Sequence, residues 1–374
     1  MPVKIFKSIV KKLNWKNKVI AYITLAFNFL LFFSYFAYLS DPTRTTWIAF
    51  TGLFYPILLI VNILLCSYWL IKKNLFFLPS LLLIISGFYH HSRFFQFSFN
   101  YNPIVKDKKE IKIMSYNVRL FDLYNWTSNK ETKKAIIKQI KAVNPDVICF
   151  QEYYFNSSND FITREMIIEE LEMNHYHESF STKNKGQYFG LATFSKYPII
   201  HKDNYKFSND KSNQCMWSDI KINQDTIRIY NTHLGSIRFN YSDYNVIGGK
   251  GSPFWPHQKK PDQKILKRLH LGFKKRSTQI KELIPIINLS PHTKIICSDI
   301  NDTPISFAYH QFDKYYKDAF VVSGNGIGGT YVGNIPGLRI DYIWHDKNLN
   351  SYNFTTHEEE LSDHRAISTQ ILIP

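Results

Sequence analysis

The chain is poor in cysteine. Its 374 residues hold four, Cys66, Cys149, Cys215 and Cys297, and none has the C-x-x-C spacing of a metal or redox motif. No cysteine or multi-histidine cluster suggests structural zinc. The cysteines lie in apolar or strand-like runs such as DVICF and KIICSD, so they are expected as buried free thiols. No internal repeat is visible, which argues against a solenoid. Acidic residues are scarce early in the chain: residues 1–110 hold 13 Lys/Arg and only 3 Asp/Glu. A pI near 9.4 would suggest a nucleic-acid partner if the charge lay on one folded domain. Here residues 111–374 carry a net charge of only +6, a weak hint of an anionic ligand.

Two stretches have no charged residue at all. They run about 19–39 and 47–71, and a third apolar stretch covers about 75–89 and contains Pro79. The first two reach the ~20 residues needed to cross a bilayer as helix. The third would cross if His90 and its aromatic neighbours lie at the interface. Such runs lack the polar face of a helix in a soluble domain, and they are too many and too long for a cleaved signal peptide. Residues 1–90 are therefore expected to form a multi-pass anchor in the cell membrane, with three transmembrane helices and the lipid bilayer as partner. Lys4, Lys7, Lys11, Lys12, Lys16 and Lys18 precede the first stretch, which argues for a cytoplasmic amino terminus. Lys72 and Lys73 fit the same side. Three crossings would then put everything after residue 90 outside the cytoplasm. If the third stretch does not cross, the rest of the chain stays inside.

Residues 91–110 read as a polar linker, with an Asn-Pro step and a Lys cluster. From Ile111 onward, strand and helix patterns alternate. Strands are expected at 111–118, 146–152, 190–199, 215–222, 226–234, 294–299, 339–345 and 366–373. Helices are expected at 130–143, 161–172, 263–286 and 304–312. Residues 235–262 read as a long loop rich in Gly, Pro, Tyr, Lys and Trp, of the kind that often carries function. Tyr241, Tyr244, Phe254, Trp255, Lys259 and Lys260 are its candidates for contact with substrate or lipid. The mixture points to two packed sheets flanked by helices.

Acid, amide and imidazole groups gather at the expected strand ends. They are Asn117, Glu152, Asn231, His233, Asp299, Asn301, Asp341, Asp363 and His364. A strand end is where a rigid sheet can hold a side chain beside a cleft. Carboxylate and carbonyl oxygens suit a hard cation such as Mg²⁺. Hydrolysis of a phosphoester needs a cation on the non-bridging oxygens, an oriented water and a group to steady the leaving oxygen. A carboxylate can activate water, and an imidazole can donate to phosphate. Each residue alone has an ordinary structural explanation, such as a turn, a solvated strand end or, for Asp341, a salt bridge to Arg339. Their joint occurrence carries the argument.

The order of these groups resembles the endonuclease/exonuclease/phosphatase superfamily. The blocks are SYNV (115–118), FQE (150–152), GLATFSKYPI (190–199), YNTHL (230–234), CSDINDTP (297–304), RIDYI (339–343) and SDHRAI (362–367). The resemblance covers residues 111–374 and implies a four-layered α/β sandwich. It implies Mg²⁺ or Mn²⁺ held by Asn117, Glu152 and Asp363. It gives Asp299 the attacking water and Asn301 a phosphate contact. His233 and His364 would contact phosphate oxygens and share acid–base work, with Asp341 orienting His364 and keeping it protonated. Two departures stand out: Ser298 where the family commonly has Gly, and Ile300 where Phe is usual. The segment 328–343 resembles membrane-linked bacterial members.

The expectation is therefore a membrane-anchored, metal-dependent phosphoester hydrolase, with nucleic acid, phospholipid or a small phosphoester as substrate. No protein partner is inferred. The alternative is a catalytically silent binding module of the same fold, which should lack one or more of these groups.

Overall fold

The computed structural model describes residues 13–97, 109–158, 161, 163–236, 263–333 and 337–373. The loop at 237–262, and the linker at 98–108, lie outside the described residues. The chain divides into two compact units, residues 1–92 with 305–307, and residues 93–304 with 308–374.

The first unit is helical. Its longer helices are α1 (Trp15–Ser34), α2 (Thr46–Leu53), α3 (Tyr55–Ile71) and α4 (Phe77–Ser86). Asn14 caps α1 by accepting from the Asn17 amide. Polar side chains face inward: Thr24, Ser34, Asn62 and Ser80 are all fully buried. Three of them, Thr24, Asn62 and Ser80, join helix to helix. Trp69 Nε1 donates to Thr24 Oγ1 at 2.8 Å, Ser80 Oγ to Asn28 Oδ1 at 3.0 Å, and Asn62 Nδ2 to the Phe27 carbonyl at 3.2 Å. Large apolar side chains face outward, among them Phe29, Ile60, Leu64, Ile71 and Leu82. This is the reverse of a water-soluble bundle.

Three full crossings were expected, and the helices are shorter. Among the described residues, α1 alone is long and apolar enough to span, and the pair α2–α3, bent by 61°, is at most a second span. The bend falls just before Pro56, whose ring cannot continue a helix from the preceding turn. The third stretch yields a helix of 10 residues. At 1.5 Å per residue that is roughly 15 Å, about half a hydrocarbon core.

The second unit holds two six-stranded sheets. Sheet I contains β1 (Lys109–Asn117), β2 (Val147–Asn156), β3 (His175–Asn184), β4 (Gln187–Ser195), β11 (Asn350–Thr356) and β12 (Ile367–Ile373), in the order β11-β12-β1-β2-β4-β3. Sheet II contains β5 (Ile199–Lys206), β6 (Gln214–Ile222), β7 (Asp225–His233), β8 (Thr293–Asp299), β9 (Tyr316–Asp318) and β10 (Asp341–Asp346), in the order β9-β10-β8-β7-β6-β5. Each sheet has one parallel pair at its centre, β1–β2 and β7–β8, and antiparallel neighbours outside it. Parallel strands need a crossover. Helix α5 (Thr132–Val143) supplies the first and α7 (Gln263–Asn288) the second.

Alternation along the strands builds the layers. Ile111, Ile113, Val147, Cys149 and Ile367 of sheet I pack against Ile229, Ile295, Cys297 and Ile343 of sheet II. The other face of sheet I, with Met114, Tyr116, Ile148 and Phe194, packs on Ile136 and Ile140 of α5 and on Ile167 and Leu171 of α6 (Arg164–Leu171). Helix α5 stops at Asn144, which takes the left-handed conformation at φ 51°, and Pro145 follows. Helix α7 covers the outer face of sheet II. It is tied to β5 by Tyr205–Glu282 and to β9 by Tyr316–Asn288. The expected four-layered α/β sandwich is the observed fold. All four cysteines are free and buried.

Several elements lie beyond the sequence reading. Strands β3, β9 and β11 were not anticipated, and the expected strand at 190–199 ends at Ser195. Strand β5 begins separately at Ile199 after the turn at Pro198. Strands β3, β5, β9 and β11 are all at sheet edges.

Candidate active site

The two parallel pairs end at one edge of the sandwich. Asn117 closes β1, Glu152 follows the last β1–β2 pairing, and His233 and Asp299 close β7 and β8. The antiparallel strands β10 and β12 begin at that same edge. Asp341 opens β10, and Asp363 and His364 immediately precede β12. Carboxyl ends of parallel strands are the usual place for a site in α/β folds. Here two sheets present such ends together.

Register sets the neighbours. His233 pairs with Asp299, and Asp299 with Asp341, so three functional side chains stand on adjacent strands. Oδ2 of Asp299 is the focus. Asn117 Nδ2 donates to it at 2.9 Å from the other sheet. His233 Nε2 lies 3.4 Å away and His364 Nε2 3.9 Å away. Oδ1 of Asp299 accepts from the Asn301 amide at 2.9 Å, and Asn301 Nδ2 donates to the Leu234 carbonyl at 3.0 Å. On the far side of His364, Nδ1 is 2.8 Å from Asp341 Oδ2.

Asp341 does not pair with Arg339. Arg339 bonds to Asp318 at 2.6 Å, which leaves Asp341 to the imidazole. The Thr330 hydroxyl accepts from the Asp341 amide at 3.2 Å and holds the strand start in place.

Two backbone features aim the site. The β2–β4 register slips between Phe150 and Tyr153, and within that bulge Glu152 has φ 50°. Bulges redirect side chains beside active sites. Asn301 likewise sits at φ 53°. Residues with such φ are strained unless they are Gly, Asn or Asp, so the strain at Glu152 is held by its surroundings.

Charge explains why these groups titrate abnormally. Burial raises the Asp299 carboxyl, and Asp341 beside it raises it further, while His364, His233 and the Asn117 bond act the other way. Burial would lower the His364 imidazole, but Asp341 and Asp299 together hold it well above the ordinary range. Burial also raises Glu152, and Asp363 and Asp299 add to this against His233 and His364.

The donor set suits a cation. Glu152 is half-buried and feels two other carboxylates. Among the described residues its carboxylate has no hydrogen-bond or ion-pair partner. Asp363 contributes a second carboxylate, with Oδ1 at 3.3 Å from Ser362 Oγ and Oδ2 at 3.5 Å from Arg119 Nε. Asn117 adds an amide oxygen, which among the described residues accepts only from the Arg119 amide at 3.1 Å. A hard cation would relieve this crowding of oxygens. Asp299, Asp341 and His364 also bring ligand atoms within 4.8 Å of one another. In that trio, however, Asp341 and His364 already bond to each other. Among the described residues His233 Nε2 is buried and makes no hydrogen bond, with Asp299 Oδ2 3.4 Å away, so it is available to a ligand oxygen.

Some residues that build the site have no obvious mark in the sequence. Gln151 Nε2 donates to Asn231 Oδ1 at 2.8 Å, and Asn231 Nδ2 reaches the carbonyls of Phe150 and Ala192. Asn231 is thus a buried clamp between the sheets. Ser362 Oγ donates to the Asn117 carbonyl at 2.8 Å and joins the start of the Asp-His pair to β1. Arg119 lies over the Trp126 ring at 4.4 Å. Ser298, at the position usually Gly, accepts from Trp344 Nε1 at 3.2 Å, which gives its hydroxyl a buried partner.

A cleft of about 420 Å³ opens beside Glu152 and His233. It runs along β3 and β4, with Ser181, Thr182 and Phe189 in its wall.

Residues 114–364 match the profile of the Endonuclease/Exonuclease/phosphatase family. The chain belongs to that family, whose members are phosphoester hydrolases. Residues 17–94 match a Domain of unknown function (DUF8431). No curated protein matches the chain. Among solved structures, it is similar to an endonuclease/exonuclease/phosphatase from Beutenbergia cavernae, at 12% identity and TM-score 0.50, over 71% of this chain and 72% of the other. It is also similar to a family protein from Leptotrichia buccalis, at 19% identity and TM-score 0.49, over 70% and 99%. A third is a mannosyl-6-phosphatase from Bacteroides thetaiotaomicron, at 13% identity and TM-score 0.47, over 70% and 100%. Likeness at such identities concerns fold alone.

Proposed function

We propose that the protein is a membrane-anchored phosphoester hydrolase that depends on Mg²⁺ or Mn²⁺. The observation that carries this reading is the convergence on Asp299 Oδ2 of Asn117, His233 and His364, beside a Glu152 whose carboxylate has no hydrogen-bond or ion-pair partner among the described residues. A silent binding module would need none of this to be complete.

Glu152, Asp363 and Asn117 are the residues that would hold the cation. When bound, it would neutralise charge on the non-bridging phosphate oxygens. The remaining work falls to the chain itself. Asp299, held by the Asn301 amide and Asn117, orients the attacking water and takes its proton. His233 Nε2 and Asn301 donate to phosphate oxygens. The His364 imidazolium, kept charged by Asp341 and Asp299, offsets negative charge as the phosphorus–oxygen bond breaks.

The anchor reading rests on α1 and on the outward apolar surface of the first unit. Only 22% of the apolar window of α1 is buried, whereas a core helix is mostly buried. The catalytic unit lies on the side of the membrane opposite the Lys-rich amino terminus.

The test uses the full chain in detergent, with nitrophenyl phosphate and bis-nitrophenyl phosphate as probes. Turnover that appears with Mg²⁺ or Mn²⁺ and vanishes with EDTA supports the reading. Absence of turnover with either ion would overturn it.

A further inference from the structure

The stretch that follows the helical unit in sequence, from Arg93 on, is part of the second unit. Arg93 is buried. Its Nη2 donates to Asp313 Oδ2 at 2.7 Å and its Nη1 to the Pro304 carbonyl at 3.3 Å. The guanidinium lies 4.9 Å from the centre of the Tyr309 ring. The Phe94 carbonyl accepts from the Gly328 amide at 3.2 Å. Phe95 and Gln96 pair antiparallel with Ile327 and Gly326. Arg93 and Phe94 fall within residues 17–94, which match the domain of unknown function, and outside residues 114–364, which match the hydrolase family.

Two routes lead from this stretch to the site. The first is Arg339, which stands two residues before Asp341. Its Nε donates to the Arg93 carbonyl at 3.0 Å and its Nη2 to Asp318 Oδ2 at 2.6 Å. The guanidinium also lies over the Phe320 and Tyr342 rings, at 4.6 and 4.5 Å. The second route is the chain that continues from Gly328. Thr330 Oγ1 accepts from the Ile340 amide at 3.1 Å and from the Asp341 amide at 3.2 Å. The Thr330 carbonyl accepts from the Arg365 amide at 2.7 Å, and the Val332 amide donates to the Asp363 carbonyl at 2.9 Å. Between them Tyr331 forms a bridge with His364. The backbone at Asp341 and on both sides of His364 is thus bonded to residues 330–332, which follow directly from the residues paired with 94–96.

Glycine makes the junction close. A Cβ on Gly328 would fall 2.7 Å from Phe320 Cζ and 2.8 Å from Arg339 Cδ. Glycine in an extended segment often marks such a close approach. Here it brings the two routes together at one point, with the Gly328 amide on the Phe94 carbonyl and the Arg339 side chain on the Arg93 carbonyl.

We propose that Arg93, with the short strand it leads, is a positioning residue for the hydrolytic reaction: through Arg339 and residues 328–332 it sets the Asp341–His364 pair against Asp299. The proposal rests on the hydrolase reading above. The family fold supplies the catalytic groups, and a segment outside the family match completes their alignment. Arg93 touches no reacting atom. Its loss should therefore lower kcat and spare KM, as for an interaction expressed only in the transition state.

The experiment measures kcat and KM of the full chain in detergent with Mn²⁺, well below each variant's own Tm. The probe is nitrophenyl phosphate or bis-nitrophenyl phosphate, whichever the parent turns over. Arg93→Gln should lower kcat about tenfold with KM little changed, because small misplacements of reacting groups are costly. Thr330→Val should do the same. The double variant should lose about tenfold rather than a hundredfold, since residues that act as one unit are not additive. Gly328→Ala keeps every charge and should match the single variants, which gives a second test if Arg93→Gln does not fold. Arg228→Gln is the control. It cuts the 2.6 Å pair with Asp219, away from His233 along β7, and should lower Tm while leaving kcat within about threefold. A parent inactive on both esters would sink the hydrolase reading and this one with it. With an active parent, unchanged kcat in folded Arg93→Gln or Gly328→Ala would overturn this proposal alone. So would a hundredfold loss in the double variant, or a fall in Arg228→Gln as large as that in Arg93→Gln.

Discussion

His364 Nδ1 lies 2.8 Å from Asp341 Oδ2, although the histidine precedes a strand of sheet I and the aspartate opens a strand of sheet II. The bond therefore spans the two sheets at the floor of the site. It fixes which imidazole nitrogen faces Asp299. In Asp341→Asn the side chain keeps its shape and loses its charge. The expected result is a fall in kcat of about 10²-fold, typical of a disabled acid–base group. KM should change much less. Steady-state kinetics on a nitrophenyl ester, with circular dichroism to confirm folding, checks this. A kcat within threefold of the parent would mean that the Asp341 charge does not support the chemistry.

Glu152 gives a prediction with opposite signs. Without metal, burial and the charges of Asp363 and Asp299 disfavour its carboxylate. Glu152→Gln should therefore raise Tm in EDTA by roughly 2–4 °C, the shift that ~1 kcal/mol produces in a unit of this size. The same variant should lose the rise in Tm that Mn²⁺ gives the parent chain, because ligand binding stabilises only what it binds. Turnover should fall at least 100-fold. Thermal melts with and without Mn²⁺ separate the two effects. An undiminished Mn²⁺ shift would mean the cation is held elsewhere.

What could be seen in the sequence follows from where the signal lies. The inner strands of both sheets are apolar and β-branched, as in KIIC and TIRIY, so they stood out. The edges did not. Strand β5, IIHKDNYK, is almost wholly exposed, and its polar side chains look like a loop because nothing packs on them. Strand β3, HYHESFSTKN, is partly buried, but its His, Glu, Ser and Thr mix with the aromatics and leave no apolar run to mark it. The acids and imidazoles of the site were visible because they recur together at successive strand ends, although each alone has an ordinary explanation. Ser362, Gln151 and Thr330 were not, since a serine, glutamine or threonine gains meaning only from its partner across the sheets. The helices of the first unit were misjudged in length. Hydropathy registers apolar residues, and it does not register the break before Pro56.

His177 makes stability depend on acid. It is 8% exposed and bonds to Ser218 Oγ at 3.1 Å across the two sheets. Burial, and then the charge of Lys202, lowers its imidazole to about 4, with Asp203 opposing and His201 adding slightly. The folded pKa is thus below the unfolded value of 6.5. Stability from this group is complete above pH 6.5 and is lost as pH falls toward 4, because the unfolded chain takes up the proton first. At 1.36 kcal/mol per unit, the loss is about 3 kcal/mol. Melts from pH 7 to 4 should show the decline in the parent and a shallower one in His177→Gln. Parallel curves would show that other groups govern acid unfolding.

The side of the membrane can be read with one cysteine. All four native thiols are buried, so a single exposed cysteine should dominate labelling. Glu358 lies exposed in the connection between β11 and β12, on the stretch that leads to Asp363 and His364 but is not itself a candidate site residue. Helix α1 passes the length and hydropathy test for a crossing, and the α2–α3 pair is bent by 61°. If the bent pair re-enters on the side it left, α1 alone crosses, and the catalytic unit is outside. Three crossings give the same side, and so would export by α1 acting as a signal sequence. Only two crossings reverse it. In intact cells, Glu358→Cys should therefore react with a membrane-impermeant maleimide as fully as after lysis. Labelling that appears only on lysis would mean an even number of crossings, and the Lys-rich amino terminus and the catalytic unit would then share one side.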